Sequence, residues 1–130
     1  MKMLHVLAAA AICATAGSAA AIATTAVTAG PSKAVYSAVV SKTGQLSRGH
    51  GAKSAQLSSS PGEYFVRFSV ASARNCVYTA TIGDPGYFVD PKPGFITVAG
   101  DANNADGVFV ATYSPKGAPE DMAFHLVMVC

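Results

Sequence analysis

A chain of 130 residues is the length of a single domain. Nine Lys/Arg against seven Asp/Glu leave a net charge of +2, and no basic cluster occurs, which argues against nucleic acid or an anionic membrane as partner. The absence of any sustained helical period after the first thirty residues excludes an α-helical protein.

The first segment reads as a targeting signal rather than as fold. Lys2 supplies an early positive charge, Leu4 to Ile12 is apolar, and small residues continue through Ala29. That is the layout of a secretory signal peptide. Small residues at −3 and −1 are offered at Ser18-Ala19-Ala20, Ala19-Ala20-Ala21, Ala21-Ile22-Ala23 and Val27-Thr28-Ala29, so the cleavage site stays open. Thr15, Gly17, Ser18, Thr24, Thr25 and Thr28 dilute the run below what a bilayer span prefers. Residues 1–29 are therefore expected to be a leader, 30–33 a linker ending the Gly30-Pro31 break, and 34–130 the folded domain. No membrane span is expected after cleavage, and the destination is the cell envelope or the outside.

Without the leader the chain keeps eight Lys/Arg and seven Asp/Glu, and of its three cysteines it keeps two, Cys76 and Cys130. In an exported protein such a pair is expected to form a disulfide. Closing a loop of about 55 residues would constrain the unfolded chain by about 4 kcal/mol in the chain-entropy picture. No CxxC and no paired histidines accompany the two thiols, so zinc is a poor alternative.

In chain order, short alternating runs are broken by Gly, Pro, Asn and Asp. The first is Ala34–Val40. Gln45–Arg48 is a short second strand, followed by Gly49-His50-Gly51, which reads as flexible surface. Lys53–Ser58 is a third, weaker run, and Ser59-Ser60-Pro61-Gly62 is a turn with Pro and Gly at their preferred positions. Glu63–Val70 places Tyr64, Val66, Phe68 and Val70 on one face. Cys76–Ile82 places Cys76, Tyr78, Ala80 and Ile82 together, with Thr79 and Thr81 opposite. A loop over 83–94 leads to Phe95–Ala99, and the polar stretch 100–107 leads to Val108–Tyr113. The last strand runs from about Met122 to Cys130, with Phe124, Leu126, Met128 and Cys130 on one face. Seven or eight such strands predict an all-β antiparallel sandwich or jelly roll with one disulfide.

Two strands are also apolar on the second face: Val127 and Val129 on the last one, and Val108 and Val110 on the one before. A half-exposed antiparallel strand should carry polar residues there. Either the 83–94 loop lies over them, with Tyr87 and Phe88 as the cover, or the face is an association surface. The slightly favoured reading is the cover. Tyr87, Phe88, Tyr113, Val127 and Val129 are the candidate interaction residues.

Few residues of the chain offer chemistry. His125 sits among Val and Leu in a strand and reads as a structural residue with a hydrogen-bond partner; His50 lies between glycines. No G-x-S-x-G elbow, H-E-x-x-H or P-loop occurs, and the acids are scattered, so no catalytic residue is nominated. Asp101, Asn103 and Asp106 are weak candidates for a calcium site, but the glycine falls late, Ala105 holds a ligand position and the closing Glu is missing. An Asn/Asp/Gly turn explains the same residues. No cofactor is implied.

Several stretches resemble a set of small exported bacterial domains, largely uncharacterised, that also end longer surface or fibre-like proteins. They are Pro61–Phe68, Cys76–Thr81, Pro93–Ala99, Gly107–Val110 and above all the closing Phe124-His125-Leu126 with terminal Cys130. The resemblance runs from about Tyr36 to Cys130 and implies a compact β domain with the cysteine pair, but no activity. The Pro61-Gly62-Glu63-Tyr64 strand alone is similar, more faintly, to the jelly-roll heads of complement C1q-like proteins, which are trimeric binders. The expected function is a secreted structural or binding module of the interaction or adhesion type, without catalytic activity. Its partner would be a protein or cell surface, including a second copy of itself. A calcium- or small-ligand-binding domain is the alternative, and a small secreted enzyme comes third.

Overall fold

The computed structural model describes residues 33–87 and 91–130. The expected leader, most of the linker and Phe88 lie outside the described residues. Eight strands follow one another: β1 Val35–Val40, β2 Leu46–His50, β3 Ala52–Leu57, β4 Glu63–Phe68, β5 Val77–Ile82, β6 Phe95–Gly100, β7 Gly107–Tyr113 and β8 Phe124–Val129. They form two antiparallel sheets, ordered β2-β1-β8-β5 and β3-β4-β7-β6, which pack face to face as a sandwich.

The core is built by alternation, because every second side chain of a strand points to the same face. From the first sheet come Ala38, Val40, Phe124, Leu126 and Met128, and from the second Tyr64, Val66, Phe68, Val108 and Val110. Two aromatic pairs cross between the sheets edge to face: Tyr64 on Phe124 with ring centroids 5.0 Å apart, and Tyr36 on Phe68 at 6.1 Å. This is the favoured geometry for aromatic quadrupoles. The Tyr64 hydroxyl, carried inside with its ring, donates to the Lys42 carbonyl at 3.0 Å.

Turns follow the expected chemistry. Pro61 and Gly62 are the central residues of a turn closed by Glu63 N–H on the Ser60 carbonyl at 3.4 Å, and Gly62 takes the positive φ of 75° that the turn requires. Asp121 fixes it from outside, accepting the Gly62 N–H at 2.6 Å.

Cys76 and Cys130 are disulfide-bonded, with Cα atoms 4.3 Å apart. They flank the last pair of the β5–β8 ladder, Val77 opposite Val129. The bond therefore joins neighbouring strands of one sheet rather than facing sheets. Cys130 N–H also donates to the Ala34 carbonyl at 2.9 Å, so the residue is held from both sides.

Two expectations need correction. Gly49 and His50 are exposed, as expected, but they are the end of β2 rather than a break after it: Gly49 pairs with Ala38, and His50 N–H donates to Ser37 Oγ at 3.2 Å. Glycine is what the pairing needs there, since a Cβ at Gly49 would collide with the Ser37 carbonyl. Val108 and Val110 do not form a second apolar face. They are fully buried in the core, and the outward side of β7 consists of Phe109, Ala111 and Tyr113.

Candidate interaction surfaces

The outer face of the first sheet can be read from its register. Across β1, β8 and β5 the outward rows are Val35–Val129–Val77, Ser37–Val127–Thr79 and Val39–His125–Thr81. No Lys, Arg, Asp or Glu stands in any of them. Val35 is 53% exposed, Val77 69% and Val127 36%. One end of this face is covered. The chain leaving β5 folds back over it, with Gly83 against the His125 ring and the Asp84 carbonyl 3.3 Å from His125 Nε2. Arg48, beside Val39, donates to the Pro85 carbonyl at 2.8 Å. The other end, next to the disulfide, is open.

The favoured reading of a cover over Val127 and Val129 therefore gives way to a partial one. The backbone of residues 83–85 lies at the His125 end, Val127 remains exposed, and Tyr87 is 88% exposed instead of acting as a lid. Tyr113 does not join the valines at all. It lies on the outer side of the second sheet, paired with Phe95. The valine patch includes two residues not nominated from sequence, Val35 and Val77. The phase of Val77, opposite to Cys76 and alongside Thr79, was a readable signal; its adjacency to Val35 through β8 was not.

The 101–107 loop is a closed turn. Asp101 is buried, with Oδ1 accepting Asn103 N–H and Oδ2 accepting the Asn104 side-chain amide, each at 2.8 Å. Burial would raise its pKa, but these hydrogen bonds outweigh it and hold the carboxyl below its usual range. Asp106 faces Arg67 at 2.7 Å and Lys53 at 3.5 Å. The Arg67 Nε contact is an ion pair too bent for a hydrogen bond, while Arg67 Nη1 donates to Asn104 Oδ1 at 2.9 Å. The Arg67 guanidinium, followed by Lys53, keeps the Asp106 carboxyl below its ordinary range. Asp101 and Asp106 thus have partners within the protein. Among the described residues no group of three His, Cys, Asp or Glu side chains is placed to hold a metal ion.

A cleft of about 330 Å³ opens at one end of the sandwich among Lys42, Ile82, Asp84, Lys92, Glu120 and Met122. Lys92 and Glu120 pair across it at 3.4 Å. Neither His50 nor His125 lines it. Among the described residues no helix is long and apolar enough to cross a membrane. Neither family models nor curated proteins nor solved structures include a match to this chain.

Proposed function

We propose that this chain is an exported binding module without catalytic activity, and that it associates through the outer face of the β2-β1-β8-β5 sheet. The observation that carries the reading is the open row Val35–Val129–Val77 with Val127 beside it, among outward rows of β1, β8 and β5 that hold no Lys, Arg, Asp or Glu. Depletion of charge and contiguous apolar surface are what the centres of protein interfaces require. Such a face also meets a copy of itself without like-charge conflict, so a second copy is the partner of choice. Export is supported by the disulfide and by the signal-like leader, and the resemblance to small exported bacterial domains agrees with both.

Sedimentation velocity across a concentration series tests the proposal. The disulfide-bonded protein is expected to move from monomer to a larger species as concentration rises, and Val77→Lys to remain monomeric. A wild-type protein that stays monomeric at millimolar concentration contradicts self-association.

A further inference from the structure

On the other side of the sandwich lies a hollow of about 320 Å³, at the small end of the range for ligand sites. Its floor is two cross-strand pairs of β3 and β4, Ser54 opposite Arg67 and Gln56 opposite Phe65. Its wall is Asn103 and Asn104 from the loop between β6 and β7. The composition is one aromatic ring surrounded by hydroxyl, amide and guanidinium groups, with no carboxylate among the lining residues.

The parts are held differently. Phe65 is propped by Phe109, whose ring centroid is 5.5 Å away, so its orientation is set from behind. Arg67 is braced on Asn104 and Asp106, and Asn104 in turn on buried Asp101. That chain of contacts leaves Arg67 Nη2 without a partner among the described residues. Ser54 Oγ and the side-chain amides of Gln56 and Asn103 likewise make no hydrogen bond there. A fixed ring and guanidinium beside free hydroxyl and amide groups is a preorganised arrangement, which lowers the ordering cost of binding.

We infer that this hollow binds a pyranose ring bearing a carboxylate, the hexuronate unit of an acidic polysaccharide. A pyranose has an apolar C–H face that stacks on an aromatic ring and hydroxyls that need both donors and acceptors. Phe65 supplies the first, and Gln56, Asn103 and Ser54 supply the second. The carboxylate is assigned to Arg67, which lines the hollow with Nη2 unpartnered and Lys53 beside it, while the two nearby acids, Asp106 and buried Asp101, already have partners within the protein. Guanidinium to carboxylate is the stronger, charge-assisted form of hydrogen bond.

The test is calorimetric titration of the disulfide-bonded protein with tetragalacturonate, and with the uncharged galactose tetramer for comparison. The expected result is binding of tetragalacturonate that weakens with added salt, with at least tenfold weaker binding of the uncharged tetramer. Gln56→Ala and Asn103→Ala change exposed residues, so they should keep the wild-type melting temperature while each weakens binding about tenfold, the worth of a lost hydrogen bond to ligand. Phe65→Ala should abolish it. Absence of binding to tetragalacturonate overturns the inference. So does equal binding of both tetramers, or binding indifferent to Gln56→Ala and Asn103→Ala.

Discussion

Val77 and Val129 face each other across β5 and β8, one step inside the Cys76–Cys130 bond, and both turn away from the core. The disulfide therefore fastens the end of the sheet at the place where its outer face is most apolar. Here the tie also keeps Val129 and Val77 in register with Val35, which makes the row a defined surface.

Reduction should be costly. The bond closes a segment with a sequence separation of 54 residues, and constraining an unfolded loop of that size corresponds to about 4 kcal/mol. Urea unfolding with and without reductant measures it, and Cys76→Ser with Cys130→Ser should match the reduced protein. Unchanged midpoints would show that the bond does not constrain the unfolded chain in this way.

Neighbouring residues of β8 should respond in opposite ways to truncation. Leu126 is 1% exposed and Val127 36%. Leu126→Ala removes buried methyl groups and leaves a cavity, costing about 2–5 kcal/mol. Val127→Ala should stay within about 0.5 kcal/mol of wild type, as surface substitutions do. Equal effects would place the strand in a different phase.

At high pH the fold should weaken through Tyr64. Burial, and next the charge of Asp121, push its phenol up to about 12 from an ordinary 10.0. A folded pKa above the unfolded one means that the contribution is whole below pH 10 and disappears as pH rises toward 12. Melting temperatures measured from pH 8 to 12 should fall over that interval, and fall less in Tyr64→Phe. An identical decline in the variant would assign the effect elsewhere.

At low pH the carboxylates of the 101–107 loop take over. Asp106, beside Arg67 and Lys53, and Asp101, held by its hydrogen bonds, both have lowered pKa values. Their stabilisation is present above about pH 4 and is lost as pH falls further. Melting temperature should therefore drop below pH 4, with a shallower drop in Asp106→Asn. Salt should reduce the Asp106 part, because Arg67 and Lys53 are partly open to solvent.

Strand positions were legible in the sequence because period-two alternation and the Gly and Pro breaks are local signals; the expected Cys76–Ile82 and Val108–Tyr113 lie within one residue of β5 and β7, while Glu63–Val70 overruns β4 by two residues. The disulfide was legible because setting aside the expected leader leaves two cysteines, both in the phase of core residues. What escaped depends on which strands become neighbours. Val35 and Val77 meet through β8, and the Gln56–Phe65 pair of consecutive strands β3 and β4 meets Asn103, a residue far along the chain. Gly49-His50 read as a break because glycine usually interrupts strands, whereas here close approach to Ser37 selects it.

Association through the outer valine row is tested most directly by valine-methyl NMR over a dilution series. Concentration-dependent shifts are predicted at Val35, Val77, Val127 and Val129, while buried Val40, Val66, Val108 and Val110 hold still. Shifts absent from those four residues, or centred on another face, would contradict the assignment.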